Sequence, residues 1–85
     1  MELNGKRVVL TGASSGIGLE ILKLLLANGC RVVACARHIK NIAIENENLF
    51  LMTCDVSKKE EIDALFDFAK EKLGEIDLYI SKGCR

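Results

Sequence analysis

The amino-acid sequence predicts an α/β fold in which four parallel strands alternate with helices. Short apolar runs rich in β-branched residues alternate with segments whose apolar residues recur at helical spacing. No hairpin turn separates the predicted strands, so helical crossovers should join them and the strands should run parallel. The chain has 85 residues and is 49% apolar, which is enough for one small domain.

Four apolar segments are predicted as strands. Each is short and bounded by turn residues or by a helical segment, which is typical of strands buried on both faces. They cover residues 6–11, 31–36, 49–54 and 76–80. Right-handed crossovers place the strands in the order 3-2-1-4, with a ligand crevice between the first and the fourth strand.

The first predicted helix starts at Gly16 and stops at Asn28-Gly29, because glycine reaches the left-handed backbone conformation without steric cost. An apolar stripe along this helix is expected to pack against the sheet. The stripe comprises Ile17, Ile21, Leu22, Leu24, Leu25 and Leu26.

Two further helices are predicted. A short one runs through Ile39, Ile42 and Ala43 and ends in a polar turn over residues 45–48. The other begins at the capping box Ser57-Lys58-Lys59-Glu60, in which the serine and glutamate side chains each satisfy a free backbone amide. Gly74 ends this helix. Its apolar face comprises Ile62, Leu65, Phe66, Ala69 and Leu73.

Charge and composition narrow the classes of function. Twelve basic residues balance twelve acidic ones, so no electrostatic footprint for nucleic acid or an anionic membrane is expected. No apolar run approaches the roughly 20 residues that span a bilayer, and residues 1–5 lack the features of a signal peptide. We therefore expect a cytoplasmic protein with no nucleic-acid or membrane partner.

The cysteines are predicted to be buried, reduced thiols. Cys30, Cys35, Cys54 and Cys84 contain no C-x2-C pair, and the chain has a single histidine. This pattern argues against a zinc site, and without a secretion signal it argues against disulfides. No metal site is predicted.

A glycine-rich turn carries the functional information. Residues 11–18 read T-G-A-S-S-G-I-G and lie between a predicted strand and a predicted helix. Gly12 lets the chain turn sharply, Gly16 leaves room for a diphosphate, and Gly18 lets the helix pack closely. The amides and dipole of the helix N-terminus then face the anion. The alternative is an ordinary Gly/Ser loop.

With G-x3-G-x-G spacing, the turn resembles that of the N-terminal half of the short-chain dehydrogenase/reductase family, whose signature is T-G-x3-G-x-G. Two more motifs match in order. Cys54-Asp55-Val56 looks like the Asp-Val pair that contacts adenine in that family, and Gly74-Glu75-Ile76-Asp77 resembles the G-x-I-D before its fourth strand. Asp55 has an alternative as a plain turn residue, and Asp77 is expected to accept backbone hydrogen bonds.

The resemblance implies a three-layer, Rossmann-type fold with a truncated four-stranded sheet, and a single partial dinucleotide-binding domain over residues 1–85. It also implies a parent activity that moves hydride between a nicotinamide and a carbonyl or alcohol. The implied cofactor-binding residues are Gly12, Ser14, Ser15, Gly16, Ile17, Gly18, Arg37, Asp55 and Val56.

Charge at the end of the second strand predicts a preference for NADP(H) over NAD(H). NAD-preferring enzymes usually place a carboxylate there to bind the ribose 2′-hydroxyl. This chain has Ala36 and then Arg37, whose guanidinium would pair with a 2′-phosphate. Ser14 is a candidate second phosphate ligand. The alternative is that Arg37 is simply solvated.

The family's catalytic Tyr-x3-Lys pair has no counterpart in this sequence. The single tyrosine, Tyr79, falls in a predicted buried strand and is followed four positions later by Gly83. Residues 81–85 also depart from the Asn-Asn-Ala-Gly that usually follows the family's fourth strand. No catalytic residue is assigned, and we expect a truncated protein that binds cofactor and catalyses little alone.

A truncated sheet would leave the fourth strand as an apolar edge that recruits another strand. We therefore expect a homodimer in which two copies of residues 78–80 pair antiparallel. Two alternatives remain. One is a non-catalytic nucleotide-binding subunit whose partner supplies the later strands, and the other is an inert, self-associating fragment.

Overall fold

A computed structural model shows the architecture of the chain. It describes residues 5–13, 16–38, 42, 44–55 and 57–80. The elements are β1 (Arg7–Thr11), α1 (Gly16–Ala27), β2 (Arg31–Ala36), β3 (Leu49–Thr53), α2 (Lys59–Leu73) and β4 (Leu78–Ile80). The strands form one parallel sheet in the order β3-β2-β1-β4. The predicted fold class and strand order are confirmed.

The strand register brings the carboxyl ends of the central strands to one edge of the sheet. β1 pairs with β2 from Arg7↔Arg31 to Thr11↔Cys35, and β2 pairs with β3 up to Ala36↔Thr53. Ligands of open α/β sheets bind beyond the carboxyl ends of the strands. The segments that leave β1, β2 and β3 at this edge are therefore the candidates for a binding site.

Two apolar cores, one on each face of the sheet, make the fold three-layered. Alternate residues of a strand point to opposite faces, so Val8 and Leu10 lie in one core and Val9 in the other. Leu22 and Leu25 of α1 complete the first core. The second core is completed by residues of α2, namely Leu65, Ala69 and Leu73.

The apolar stripe of α1 is only partly buried, which corrects the prediction that all of it packs against the sheet. Leu22 and Leu25 are buried, but Ile17 is 67% exposed and Leu24 is 55% exposed. The stripe spans a wider arc of the helix than the sheet contact does. Ile17 and Leu24 lie on the flank of the helix that is turned away from β1 and β2.

The predicted short helix within residues 38–48 is absent from the described part of that segment. Ile42 is buried and Ile44 packs at the edge of the α1-side core. Both residues therefore reach the core from an irregular segment rather than from a helix. The polar turn predicted over residues 45–48 is confirmed, since the Asn48 amide donates to Asn46 Oδ1 at 2.8 Å. Ile39 and Ala43 lie outside the described residues.

The predicted capping box does not form. α2 begins at Lys59, and its N-cap residue, Lys58, has an extended backbone and makes no side-chain capping bond. The Ser57 hydroxyl instead donates to Asp55 Oδ1 at 2.7 Å, and the Ser57 amide donates to the same oxygen at 3.0 Å. This turn occupies the serine that the helix would have used. Gly74 ends α2 as predicted, with its amide donating to Lys70 O at 2.9 Å.

The fourth strand is shorter than predicted, and Tyr79 is 40% exposed rather than buried. In the described part of the chain β4 pairs with β1 alone, and the Tyr79 ring packs against Phe66 at 5.1 Å between ring centroids. The expected role of Asp77 is confirmed. Its carboxylate accepts the Arg7 amide at 2.9 Å and Arg7 Nε at 3.0 Å.

No helix among the described residues is long and apolar enough to cross a membrane. Cys30, Cys35 and Cys54 are buried, as predicted, and Cys84 lies outside the described residues.

Candidate functional site

The turn that follows β1 depends on a glycine. Gly12 has a φ of +68°, a left-handed conformation that costs a glycine little and strains other residues. The next amide, that of Ala13, donates to Cys35 O at 3.3 Å, so the turn is tied to the end of β2. The chain thus leaves β1 and reaches the start of α1 within a few residues. Ser14 and Ser15 lie outside the described residues.

Gly18 lets α1 rest directly on this turn. A Cβ atom at Gly18 would overlap Gly12 O and would lie 2.9 Å from Gly12 C and 3.3 Å from Ala13 Cα. These are backbone atoms, which cannot rotate away as a side chain would. The first turn of the helix is therefore in contact with the glycine turn, and any larger residue at position 18 would separate them.

Gly16 has no comparable packing requirement. A Cβ atom there would meet nothing within 4 Å among the described residues. Gly16 is the first residue of α1, where backbone N–H groups have no partner within the helix. The first turn contains no acidic residue, so no carboxylate there opposes an anion. The space beside Gly16 suits the close approach of a phosphate group.

Arg37 and Asp55 follow the paired ends of β2 and β3. Arg37 is exposed, and its charge is among the causes that lower the pKa of Asp55. The largest cause is the bond from the Ser57 hydroxyl, followed by the bond from the Ser57 amide. Asp55 is therefore a carboxylate at neutral pH, close enough to Arg37 for their charges to interact. Val56 lies outside the described residues.

Glu61 also contacts this loop, although it was not among the predicted site residues. Its Oε1 accepts the Asp55 amide at 2.7 Å, and its carbonyl accepts the Cys54 thiol at 3.5 Å. With Lys58 as the N-cap, Glu61 is the third residue of α2, the position from which an acidic side chain reaches back towards the preceding loop. The signal was present in Glu60-Glu61, but the predicted helix start was one residue early.

The thiols beneath this loop are unreactive. Burial, followed by a hydrogen bond with Cys54, raises the pKa of Cys35 to about 12. Burial also raises the pKa of Cys54. A protonated, buried thiol is a poor nucleophile, so these two residues serve packing and hydrogen bonding. Among the described residues, no group of three His, Cys, Asp or Glu side chains could hold a metal ion.

The structure thus brings six of the nine predicted site residues to one edge of the sheet. The glycine turn lies beyond β1, and a charged pair lies beyond β2 and β3. The arrangement places the N-terminus of α1, where backbone amides favour an anion, at the same sheet edge as these two charged residues. The six residues are Gly12, Gly16, Ile17, Gly18, Arg37 and Asp55.

Comparison with known proteins identifies the family. Residues 6–83 match the sequence model of the short chain dehydrogenase family. The chain belongs to this family. The resemblance inferred from the glycine turn is therefore confirmed, and the parallel sheet with helices on both faces is the Rossmann fold of the family's solved structures.

Three family members show how far the similarity extends. An uncharacterized oxidoreductase of Schizosaccharomyces pombe is 35% identical over 74 residues, covering 87% of this chain and 25% of that protein. A short chain dehydrogenase/reductase from Burkholderia phymatum, in complex with NAD, has a TM-score of 0.85 at 27% identity and covers 93% of this chain and 31% of its own. 3-Ketoacyl-(acyl-carrier-protein) reductase from Brucella melitensis, complexed with NADH, has a TM-score of 0.82 at 28% identity, with 91% and 34% covered. The chain spans about a quarter to a third of the length of these three proteins.

Proposed function

We propose that the chain is the NADP(H)-binding part of a short-chain dehydrogenase/reductase, and that residues 1–85 form one partial dinucleotide-binding domain. The observation that carries the proposal is the contact of Gly18 with the Gly12 turn, together with Gly16, where a Cβ atom would meet no described residue within 4 Å. One glycine is needed for packing, and the other leaves room for a ligand. An ordinary Gly/Ser loop has no reason to combine these two features.

Each part of the cofactor has a proposed binding group. The diphosphate would lie against the N-terminus of α1, where amides and the helix dipole favour an anion. Arg37 would pair with the 2′-phosphate, and Asp55 and Val56 would contact the adenine ring. The residues proposed for the diphosphate are Gly12, Ser14, Ser15, Gly16, Ile17 and Gly18.

The preference for NADP(H) rests on charge at the end of β2. Ala36 is the last residue of this strand and the exposed Arg37 follows it, so a guanidinium would occupy the region where NAD-preferring enzymes usually have a carboxylate. The two solved relatives contain NAD and NADH. The proposal thus separates this chain from them in its choice of cofactor.

The parent activity would be hydride transfer between the nicotinamide and a carbonyl or alcohol. Bound NADPH would supply the hydride, and the residues of this chain would hold its adenosine and diphosphate groups. The chain has one tyrosine, and Gly83 stands where the family's Tyr-x3-Lys pair would need a lysine. We therefore expect binding with little turnover from these 85 residues alone.

Calorimetric titration of the chain with NADPH, NADH and 2′-phospho-AMP tests the proposal. NADPH and 2′-phospho-AMP should bind more tightly than NADH, and Arg37→Asp should reduce this preference by about tenfold or more, because a charge-assisted phosphate contact is lost. His38→Asp is the control, since it adds a carboxylate next to Arg37 without removing the guanidinium. No binding of any of the three ligands would leave only the inert fragment. An unchanged preference in Arg37→Asp would end the NADP(H) assignment.

We also propose a homodimer formed by antiparallel pairing of β4. In the described chain this strand pairs on one side only, and its central residue, Tyr79, is 40% exposed. Sedimentation equilibrium should show dimers of the wild type at high concentration. Tyr79→Lys should shift the protein to monomers, because a charged side chain discourages edge pairing. A wild-type protein that stays monomeric at the highest concentration would rule out this pairing.

We further propose that the protein resides in the cytoplasm. The buried, free thiols at Cys35 and Cys54 support this location, because reduced cysteines are maintained there.

A further inference from the structure

One acidic residue at the start of α2 bridges the loop between β3 and α2. Glu61, in the first turn of α2, reaches back over the loop to accept the Asp55 amide at 2.7 Å. The carbonyl of the same residue lies 3.5 Å from the Cys54 thiol, which donates to it. Glu61 thus contacts two consecutive residues at the end of β3, one through its side chain and one through its backbone.

The side-chain bond has the features of a strong contact. It is short, its acceptor is a carboxylate, and the Glu61 side chain is only 38% exposed. Charge-assisted bonds of this kind are stronger than bonds between neutral groups. Lys58 Nζ lies 3.9 Å from Glu61 Oε2, so the second carboxylate oxygen faces a cation.

Asp55 is held at three of its polar groups. Glu61 accepts its amide, the Lys58 amide donates to its carbonyl at 3.0 Å, and Ser57 donates to its Oδ1. All of these partners belong to the start of α2 or to the residues just before it. The orientation of the Asp55 backbone is therefore set by the first turn of α2.

We propose that Glu61 is a positioning residue that holds Asp55 in place for the adenine ring. The inference rests on the proposed cofactor function and adds to it a residue that does not touch the cofactor. A loop that is already ordered loses less conformational freedom when the ligand binds, and this raises affinity. α2 itself is anchored farther along by the buried Leu65, Ala69 and Leu73, so the helix does not depend on Glu61.

Three variants isolate the acceptor oxygen. Glu61→Met keeps the length of the side chain and a helix-forming residue but removes the acceptor. Glu61→Gln keeps an oxygen acceptor and removes the charge. Glu60→Met makes the matched change at the neighbouring exposed residue of the same helix turn. Urea unfolding of all three variants identifies any that fail to fold, in which case Glu61→Ala replaces Glu61→Met.

Binding of NADPH and 2′-phospho-AMP is the first measurement. Glu61→Met should weaken both by about tenfold, the effect expected for loss of a charge-assisted hydrogen bond that orders the loop. Glu61→Gln should stay within about threefold of the wild type, and Glu60→Met should bind like the wild type. Equal affinity in Glu61→Met and the wild type would overturn the inference. An equal loss in Glu60→Met would also overturn it, because the effect would then be one of general charge.

Amide hydrogen exchange is the second measurement, and it needs no cofactor. Glu61→Met should accelerate exchange of the Asp55 amide by at least about tenfold, while the amides of residues 65–73 should exchange as in the wild type. If the wild type fails to bind NADPH, the proposed function fails whatever the exchange result. If the wild type binds but Asp55 exchange does not change in Glu61→Met, the positioning role is wrong and the proposed function stands.

Discussion

The two strands that flank β1 have similar apolar sequences and different environments. β2 pairs with a strand on each side, and five of its six residues are buried. β4 has three apolar residues, pairs with β1 alone among the described strands, and has no buried residue. Leu78 and Ile80 of β4 are at least as large and apolar as the five buried residues of β2. Position in the sheet, rather than residue type, therefore decides burial here.

Like the sheet, α1 has one buried side and one exposed side. Leu22 and Leu25 face the sheet and are buried, whereas Ile17 and Leu24 lie on an exposed flank. Ile21, on the same flank, packs against the core cluster that Leu78 and Ile80 also border. The exposed flank of the helix and the open edge of the sheet thus adjoin one core.

The largest expected effect compares two leucines of α1. Leu22→Ala should lower the free energy of unfolding by about 3 kcal/mol, because it leaves a cavity in a closed core. Leu24→Ala removes the same atoms from an exposed position and should change it by less than about 0.5 kcal/mol. Urea unfolding at two protein concentrations measures both. Similar losses that grow with concentration would show that a second copy covers the exposed flank.

A second comparison uses two glycines of the same helix turn. Gly18→Ala should lower the free energy of unfolding by about 2 kcal/mol, since its Cβ would press on the Gly12 backbone. Gly16→Ala should change it by less than about 0.5 kcal/mol, because a Cβ atom at Gly16 would meet no described residue within 4 Å. Thermal or urea unfolding distinguishes the two. A stable Gly18→Ala protein would mean that α1 can move away from the turn at little cost.

The smallest expected effect concerns the contact between Asp77, which precedes β4, and Arg7 of β1. The bond with the Arg7 side chain lowers the pKa of Asp77. The unfolded chain therefore binds a proton more readily than the folded one, and the contact stabilises the fold above about pH 4 and is lost as the pH falls through the lowered pKa. Asp77→Asn should reduce the urea midpoint at pH 7, and the difference from the wild type should shrink towards pH 2.5. Glu75→Gln is the control, since Glu75 is exposed and lies 3.6 Å from Arg7. An undiminished difference at low pH would contradict the electrostatic origin.

Local pattern and general topology rules were sufficient to predict the sheet. The apolar runs gave four strands close to their observed bounds, and right-handed crossovers gave their order. Residues 38–48 were harder, because Ile42 is compatible with a helix pattern as well as with burial in a loop. The exposure of Ile17 and Leu24 also had no local signal, since it depends on how much sheet lies beneath the helix.

The candidate site also contains residues that could be predicted from the sequence and one that could not. The glycines of the turn were predicted from their spacing, because each has a steric reason to be glycine or leaves space for a ligand. Glu61 was missed because its partner, the Asp55 amide, lies six residues away in a loop whose shape is set by Ser57. A shift of one residue in the start of α2 was enough to assign the acidic side chain to the wrong neighbour.

The absence of a side chain at Gly18 makes the first turn of α1 and the end of β1 behave as one mechanical unit. A ligand bound at the glycine turn would therefore be coupled both to α1 and to β1 in the middle of the sheet. Binding would stabilise the folded state of the whole domain, and the melting temperature should rise with ligand concentration. A simple thermal-shift screen of phosphorylated compounds can exploit this coupling without any enzymatic assay.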